Sequence, residues 1–363
     1  MKSQGKKILF VGVDQSTKIA FEYARSLGLY IIIADYYPVE ESPLKQMADE
    51  AWMVSILDID LLESMARKAE INAIFGGCSE ICLDVVIELA HRLQLPFYAS
   101  DEGWKANRNK NYFKEEARKA GLLVPNSYDI RSVEDVKNYK FHYPIIVKPI
   151  DSCARRGISV CQNEEELKEA IPQALSHSAL KELVVEDFHF GEEILLALFL
   201  KNGKLIYDNF IYLKGNSNRP DSAIQYMEHP KSASFHAEIL PKVKDLLEQL
   251  HMKDGAVFLQ GIFSEEQIYF FEMGCRYDGL FGWYNISRRL GFNTVHEMVK
   301  LALGDQSDII THLNEEENIA VNYFIWMNHG KISRLEGVDA LKNRKDMIIH
   351  LQRYGVGDTA SDV

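Results

Sequence analysis

The sequence predicts an α/β layer over roughly its first hundred residues, followed by a mixed α+β body. Three observations lead there. Short β-rich apolar runs ending in Gly or Asp alternate with helical periodicity as far as Leu93. After Leu183 the pattern changes to strands paired across short turns. The length, 363 residues, suits two or three packed units rather than one core.

Lys7 to Val13 (KILFVGV) reads as a buried parallel strand ended by Gly12 and Asp14. Ser16 to Leu27 has helical periodicity, which Gly28 stops. Tyr30 to Ala34 is a second strand ending at Asp35, Asp58 to Glu70 a helix, Ala73 to Phe75 a third strand, and Glu80 to Leu93 another helix. This rhythm gives a doubly wound, Rossmann-like layer with ligands expected at the carboxyl ends of its strands. The turn Gly12-Val13-Asp14-Gln15-Ser16 lacks the G-x-G-x-x-G that lets a pyrophosphate approach the backbone. A nicotinamide-dependent oxidoreductase is therefore disfavoured. Asp14, Asp35 and the turn Gly76 to Glu80 are expected to face a small substrate instead.

Asn109 to Gly121 is a helix of alternating Lys and Glu, and Val124-Pro125 opens an extended segment. Ile145 to Val147 is a strand leading into a loop, and Glu164 to Ala174 is helical. Leu183 to Glu186, Ile194 to Leu200 and Leu205 to Tyr212 are strands, the last two joined by Lys201-Asn202-Gly203-Lys204. Ser234 to Leu250 reads as one long helix, Val257 to Phe263 and Gln267 to Glu272 as a hairpin, and Phe292 to Leu303 as a further helix. There is no internal repeat and no low-complexity tract.

The net charge of -12 argues against nucleic acid as a partner, while 41 Lys and Arg leave room for a local basic pocket. The cysteines, Cys78, Cys82, Cys153, Cys161 and Cys275, are odd in number and fit reduced thiols in the cytoplasm. Cys78 and Cys82 have no second Cys/His pair at zinc spacing, so packing is the expected role. The apolar run Ile8 to Val13 is too short for a signal-peptide core or a membrane span, and no stretch reaches about 18 apolar residues. A cytoplasmic protein with no membrane partner is expected.

Three elements carry chemistry. Lys148 ends a strand and leads into a loop holding Ser152, Arg155, Arg156 and Gly157, a set suited to phosphate oxygens; read alone, it is equally a solvated basic turn. Glu186 to Glu193 (EDFHFGEE) follows a strand. Its backbone suits an adenine edge, and Glu193 suits two ribose hydroxyls; alone it is a surface loop. The apolar strand Ile268 to Phe271 ends in Glu272 and then Arg276. Glu272 suits Mg²⁺ and Arg276 a transferring phosphoryl group, or the two form a charge pair at a sheet edge.

In this order the three elements resemble the ATP-grasp superfamily, in particular its carbamoyl phosphate synthase-like and carboxylate–amine ligase members, over roughly residues 5 to 350. The resemblance implies an ATP-grasp fold preceded by a Rossmann-like domain. The segments would be 1–105 for that domain, 106–186 and 187–305 for the two nucleotide-binding subdomains, and 306–363 for a C-terminal lobe.

It also implies roles. Lys110, in Asn109-Lys110-Asn111, would be the first nucleotide lysine. Lys148, in Val-Lys-Pro, would be the second, and Ser152 to Ile158 the phosphate lid. The pattern E-x-F-x-x-G-x-E makes Glu186 and the backbone of Asp187, Phe188 and His189 the adenine hinge, with Glu193 on the ribose. Glu272 and Arg276 match E-x-N-x-R, with Glu272 and Gln260 as metal ligands and Arg276 and Lys148 as catalytic groups. ATP and Mg²⁺ would be the cofactors, a small carboxylate and an amine the substrates, and a homodimer the assembly. The activity implied is ADP-forming C–N ligation.

The sequence departs from the pattern in three places. Gln260 stands where an acid is usual, Gly274 replaces the Asn, with Asp278 as a substitute ligand, and the lid has a single Gly. A non-catalytic or weakly catalytic nucleotide-binding protein with a degenerate metal site is the alternative. Arg219, Arg288 and Arg289 are further candidates for an anionic substrate, or solvated arginines.

Overall fold

The structure, a computed structural model, describes residues 4–13, 17–150, 157–216, 219–226, 231–279, 282–312, 321–323, 330–345 and 355–360. The chain divides into two units, Met1–Lys214 with Gln225–Asn322, and Gly215–Ile224 with Tyr323–Val363.

The first unit begins with a parallel sheet of β1 (Lys7–Val11), β2 (Tyr30–Asp35), β3 (Glu50–Met53) and β4 (Ala73–Phe75), ordered β3-β2-β1-β4. Both of its faces are covered, which is why KILFV shows no polar alternation. Ile8, Phe10, Ile31 and Ile33 pack on one side against Ala20, Phe21 and Ala24 of α1 (Thr17–Ser26). Leu9, Val11, Ile32 and Ala34 pack on the other against α3 (Ile59–Ala69) and α4 (Glu80–Leu93), after a short α2 (Pro43–Met47). Gly28 (φ +71°) ends the α1 segment, and the Asp58 side chain caps α3 by accepting from the Leu61 amide.

Sequence periodicity misses three elements here. β3 and α2 are too short to show a period. The third, α5 (Asp101–Arg108), is capped by Ser100 but carries Gly103, a poor helix former. A Cβ on Gly103 would lie 2.2 Å from the sulfur of Met252, so packing fixes that residue against propensity.

The expected Asn109 helix is α6 (Lys110–Lys119), whose first amides bond to the Asn109 side chain at 3.0 Å. An antiparallel sheet follows, ordered β5-β8-β6-β7, from β5 (Ser127–Tyr128), β6 (Ile145–Pro149), β7 (Ser159–Cys161) and β8 (Leu183–Asp187). Its inner face packs on Leu167, Ala170, Ile171 and Ala174 of α7 (Glu164–His177).

The last sheet of this unit runs β13-β12-β9-β10, from β9 (Glu192–Lys201), β10 (Lys204–Asn216), β12 (Gly255–Ser264) and β13 (Gln267–Gly274); β11 (Arg219–Tyr226) falls mostly in the second unit. Leu196, Leu198 and Leu200 face α6 and α9 (Leu240–Gln249), which follows α8 (Ser232–Glu238). Leu195, Ala197 and Phe199 face the other way, joining the core of the first sheet together with α11 (Thr294–Ala302), which follows α10 (Gly282–Leu290).

The single helix expected over Ser234 to Leu250 is two. Pro241 has no amide to donate and sits in the first turn of α9, so the chain restarts there.

In the second unit Gly330–Lys331 pairs antiparallel with Thr359–Ala360, and Val338–Lys342 is a short helix. A short strand spans Val321–Tyr323. Among the described residues no helix is long and apolar enough to cross a membrane.

Candidate active site

The chemistry gathers at the end of the β12–β13 hairpin, and a register shift aims it. Ile268 and Phe270 face the core under α6. Strict alternation would send Glu272 into that core as well. Instead Gly261 pairs with Phe270 and Gln260 with Glu272, leaving Phe271 as an extra residue in β13. The bulge switches the parity, so Met273 and Cys275 take the core positions. Glu272, partly exposed, lies directly across from Gln260 on the opposite face. The Gln260 amide nitrogen donates to the Glu193 carboxylate, bringing Glu193 of β9 to the same place.

Two lysines approach this face, one from a helix and one from the other sheet. Lys110, at the start of α6, reaches within 3.7 Å of the Glu272 carboxylate and within 3.5 Å of the Ile150 carbonyl. Lys148 of β6 stands 5.1 Å from the centre of the Phe271 ring, with its ammonium 2.7 Å from Oε2 of Glu186.

Glu186 is 1% exposed, and its other oxygen pairs with Lys114, also 1% exposed, whose ammonium donates to Ser127 Oγ at 2.9 Å. Burial pushes the Glu186 carboxyl up. The Lys148 and Lys114 cations, with their hydrogen bonds, outweigh that and hold it down at about 2. Glu186 is thus a buried anion clamping Lys148 from behind.

Arg276 lies just beyond the strand, where side-chain bonds pin the backbone. The Cys275 amide donates to Asn107 Oδ1 at 2.7 Å, and its carbonyl accepts from the Tyr98 hydroxyl at 2.7 Å. The guanidinium lies 4.9 Å from the centre of the Phe258 ring and 3.2 Å from Glu80 Oε1. Glu80 also takes Arg108 at 2.8 Å, and Arg108 reaches Asp84 at 3.3 Å. The first residue of α4 therefore supplies a carboxylate to the arginine that follows β13.

Comparisons with known proteins bear on the fold. A family model described as "D-ala D-ala ligase C-terminus" matches residues 121–257. The carbamoyl phosphate synthase large chain, N-terminal section, of Aquifex aeolicus is 29% identical over 208 residues, 51% of this chain. The chain spans only 37% of that relative's length. The crystal structure of an L-amino acid ligase from Bacillus licheniformis superposes with a TM-score of 0.79 at 18% identity, covering 99% of this chain and 90% of the other. That of N5-carboxyaminoimidazole synthetase from Staphylococcus aureus, complexed with ADP, gives 0.70 at 16% identity, covering 88% and 82%.

The chain has the ATP-grasp fold. In this ATP-grasp frame the structure brings Lys110, Lys148, Glu193, Gln260, Glu272 and Arg276 to one end of the β12–β13 hairpin. Gly157, at φ +73°, lies within the expected lid, while Ser152, Arg155 and Arg156 lie outside the described residues. In the expected hinge, Asp187 accepts from the Tyr128 hydroxyl at 2.6 Å and from Asn126 at 2.9 Å. The Phe188 amide donates to the Pro144 carbonyl, and the His189 ring stacks on Tyr269 at 3.9 Å. The hinge backbone is thereby fixed, while the Glu186 side chain turns inward to the lysines.

Two expected ligands have structural work instead. Both Asp278 oxygens accept backbone amides, from Gly282 and Trp283, so Asp278 caps α10 and does not replace the missing Asn. Asp35, expected to face substrate, is buried and bound to Lys45 at 2.6 Å. Asp14 and the Arg219 side chain lie outside what the structure describes; Arg288 and Arg289 are in α10 as expected for a helix. Among the described residues no group of three or more His, Cys, Asp and Glu is placed to hold a metal ion. Cys82 fills the space beside Gly12, where a Cβ would meet its sulfur at 2.6 Å.

Sequence reasoning missed Lys114, Arg108, Asn107 and Tyr98. Lys114 carries a readable signal, because it shares the buried stripe of α6 with Phe113 and Ala117. The other three act on partners far away in the chain.

Proposed function

We propose that the chain is an ATP-dependent ligase. It phosphorylates a carboxylate and lets an amine displace the phosphate, forming a C–N bond and releasing ADP. The observation that carries this is the gathering of Lys110, Lys148, Glu272 and Arg276 at one end of the β12–β13 hairpin.

A carboxylate is a poor electrophile. Its oxygen attacks the γ-phosphorus of ATP as the bond to ADP breaks, giving an acyl phosphate. Lys110 and Lys148 hold the phosphate oxygens as point charges, and Arg276 holds the oxygens of the acyl phosphate and of the tetrahedral adduct. The amine then adds to the carbonyl carbon, phosphate departs with the bonding pair, and the amine's proton is lost. The hinge Asp187 to His189 is the place for adenine, and Glu193 for the ribose. Ser152, Arg155, Arg156 and Gly157 belong to the segment proposed to cover the phosphates.

The residues fit a divalent cation. Glu272 offers a carboxylate across from Gln260, whose amide N–H is given to Glu193. Mg²⁺ held by Glu272 and Gln260 would supply charge neutralisation on the phosphates.

The test is ADP release screened against paired carboxylates and amines, with the product read by mass. Lys148→Met and Glu272→Gln should each abolish ADP formation while melting like the parent. Nucleotide binding without turnover on any pair would favour the alternative, a binding protein. Undiminished turnover in either variant would remove these residues from the site.

A further inference from the structure

The face of the β12–β13 hairpin that carries the proposed site is built in three steps. The first is the cross-strand pair Gln260–Glu272, which presents oxygen donors. The next pair on the same face is Phe258–Gly274. Beyond it stands Arg276, with its guanidinium over the Phe258 ring. Residues on one face of a strand alternate, so position 274 lies between the metal-facing carboxylate and the arginine.

Phe258 occupies that middle position. A Cβ on Gly274 would lie 2.2 and 2.3 Å from the Cε1 and Cζ atoms of the ring. Both residues are buried, Phe258 at 6% exposure, so the ring has little space to withdraw. No side chain fits at 274 while Phe258 stays. Nor does a ligand come from nearby in the chain, because Asp278 spends both oxygens on the cap of α10. The ring also gives Arg276 an aromatic floor, and Glu80 fixes the guanidinium from the side.

From this we infer that Phe258 and Gly274 form a steric couple that confines the strand end to a single divalent cation, held at Glu272 and Gln260, and sets Arg276 as the fixed positive charge beyond it. The inference rests on the proposed nucleotide site and adds to it how many cations that site accepts and which residues limit the number. An aromatic ring is no oxygen donor, so a second cation has nothing to bind at 274. A guanidinium one step further on repels a second cation and serves the same phosphate charge without one.

The experiment counts Mn²⁺ bound per chain by electron paramagnetic resonance, at saturating adenylyl imidodiphosphate, in parent and in the double variant Phe258→Ala/Gly274→Asn. The parent should take up one Mn²⁺ with nucleotide, and the double variant two. The double change is needed because Gly274→Asn alone collides with the ring. A melting curve confirms that each protein is folded.

Two ions in the parent would overturn the inference, as would none while the nucleotide is bound. A folded double variant that still takes one ion would overturn the steric couple. Nucleotide affinity is measured without metal in the same samples. A chain that binds no nucleotide at all overturns the nucleotide site itself, and the inference with it.

Discussion

Lys114→Met tests the buried centre of the site. The substitution keeps the length of the side chain and removes one of the two cations that hold Glu186, leaving a carboxylate that is 1% exposed with Lys148 alone. Removing one partner of a buried ion pair costs about 3–5 kcal/mol, and Lys148 remains, so the low end, about 3 kcal/mol, is expected.

The titration of Glu186 bounds the net effect of its surroundings. The Glu186 carboxyl is held at about 2. Against an ordinary value near 4.3, and at about 1.36 kcal/mol per pKa unit, that is about 3 kcal/mol net, the two lysines less the cost of burial. The sign follows from the depressed pKa. This stability is present in full above the ordinary carboxylate pKa and is lost as pH falls from about 4 to about 2. With Lys114 gone the folded pKa rises, so less stability remains to be lost over that range.

Urea unfolding at pH 7 and at pH 3 measures both effects. Glu186→Gln should also destabilise, and Lys114→Met/Glu186→Gln should cost less than the two singles added, with a coupling of about 2 kcal/mol. Additive costs, within about 0.5 kcal/mol, would refute the clamp. So would an unchanged urea midpoint in Lys114→Met. Lys148 would then be held by something other than Glu186.

Glu193→Ala removes a charged acceptor worth about 1.5–3 kcal/mol to a bound hydroxyl pair. Nucleotide Kd should rise about ten- to a hundredfold by calorimetry, and unchanged affinity would displace the ribose site from Glu193. Glu80→Gln takes the carboxylate from a partly exposed pair with Arg276 at 3.2 Å. It should lower kcat about five- to tenfold with little change in nucleotide KM, and a change in KM alone would mean Glu80 does not position Arg276. Gly191→Ala places a Cβ 2.0 Å from the Phe263 carbonyl oxygen. A loss of about 2–3 kcal/mol in urea unfolding is expected, and a neutral result would show that β9 can move away from β12.

The glycine of the hinge pattern illustrates what the sequence could and could not convey. Its spacing between Glu186 and Glu193 was legible, and so was the order of Lys148, hinge and Glu272. The reason for the glycine was not, because it lies in the backbone of Phe263, a residue of another strand. The parallel layer was equally legible, since fully covered strands such as Ile8 to Val11 must be apolar throughout. β3 and α2 are too short to show a period. Gly103 disguised α5, and Pro241 divided a helix whose apolar spacing runs on through it. Asp278 looked like a ligand because spacing reports proximity and not what the oxygens already hold.

The bulge at Phe271 explains why a charge can end such a strand. In Ile268-Tyr269-Phe270-Phe271-Glu272-Met273-Gly274-Cys275 both faces read as apolar until Glu272, so hydrophobicity alone gives no phase. An unbroken ladder would bury the carboxylate among Phe113, Ile268 and Phe270, where an unpaired charge costs several kcal/mol or is lost to protonation. Inserting one residue removes that cost with a single unpaired step in the ladder, and it also places the Phe271 ring beneath Lys148. One local irregularity thus aims the Glu272 carboxylate and seats Lys148 over the Phe271 ring. It further sets the phase that puts Gly274 under the Phe258 ring, so the departure from the family pattern at Gly274 and the aim of Glu272 belong to one packing arrangement.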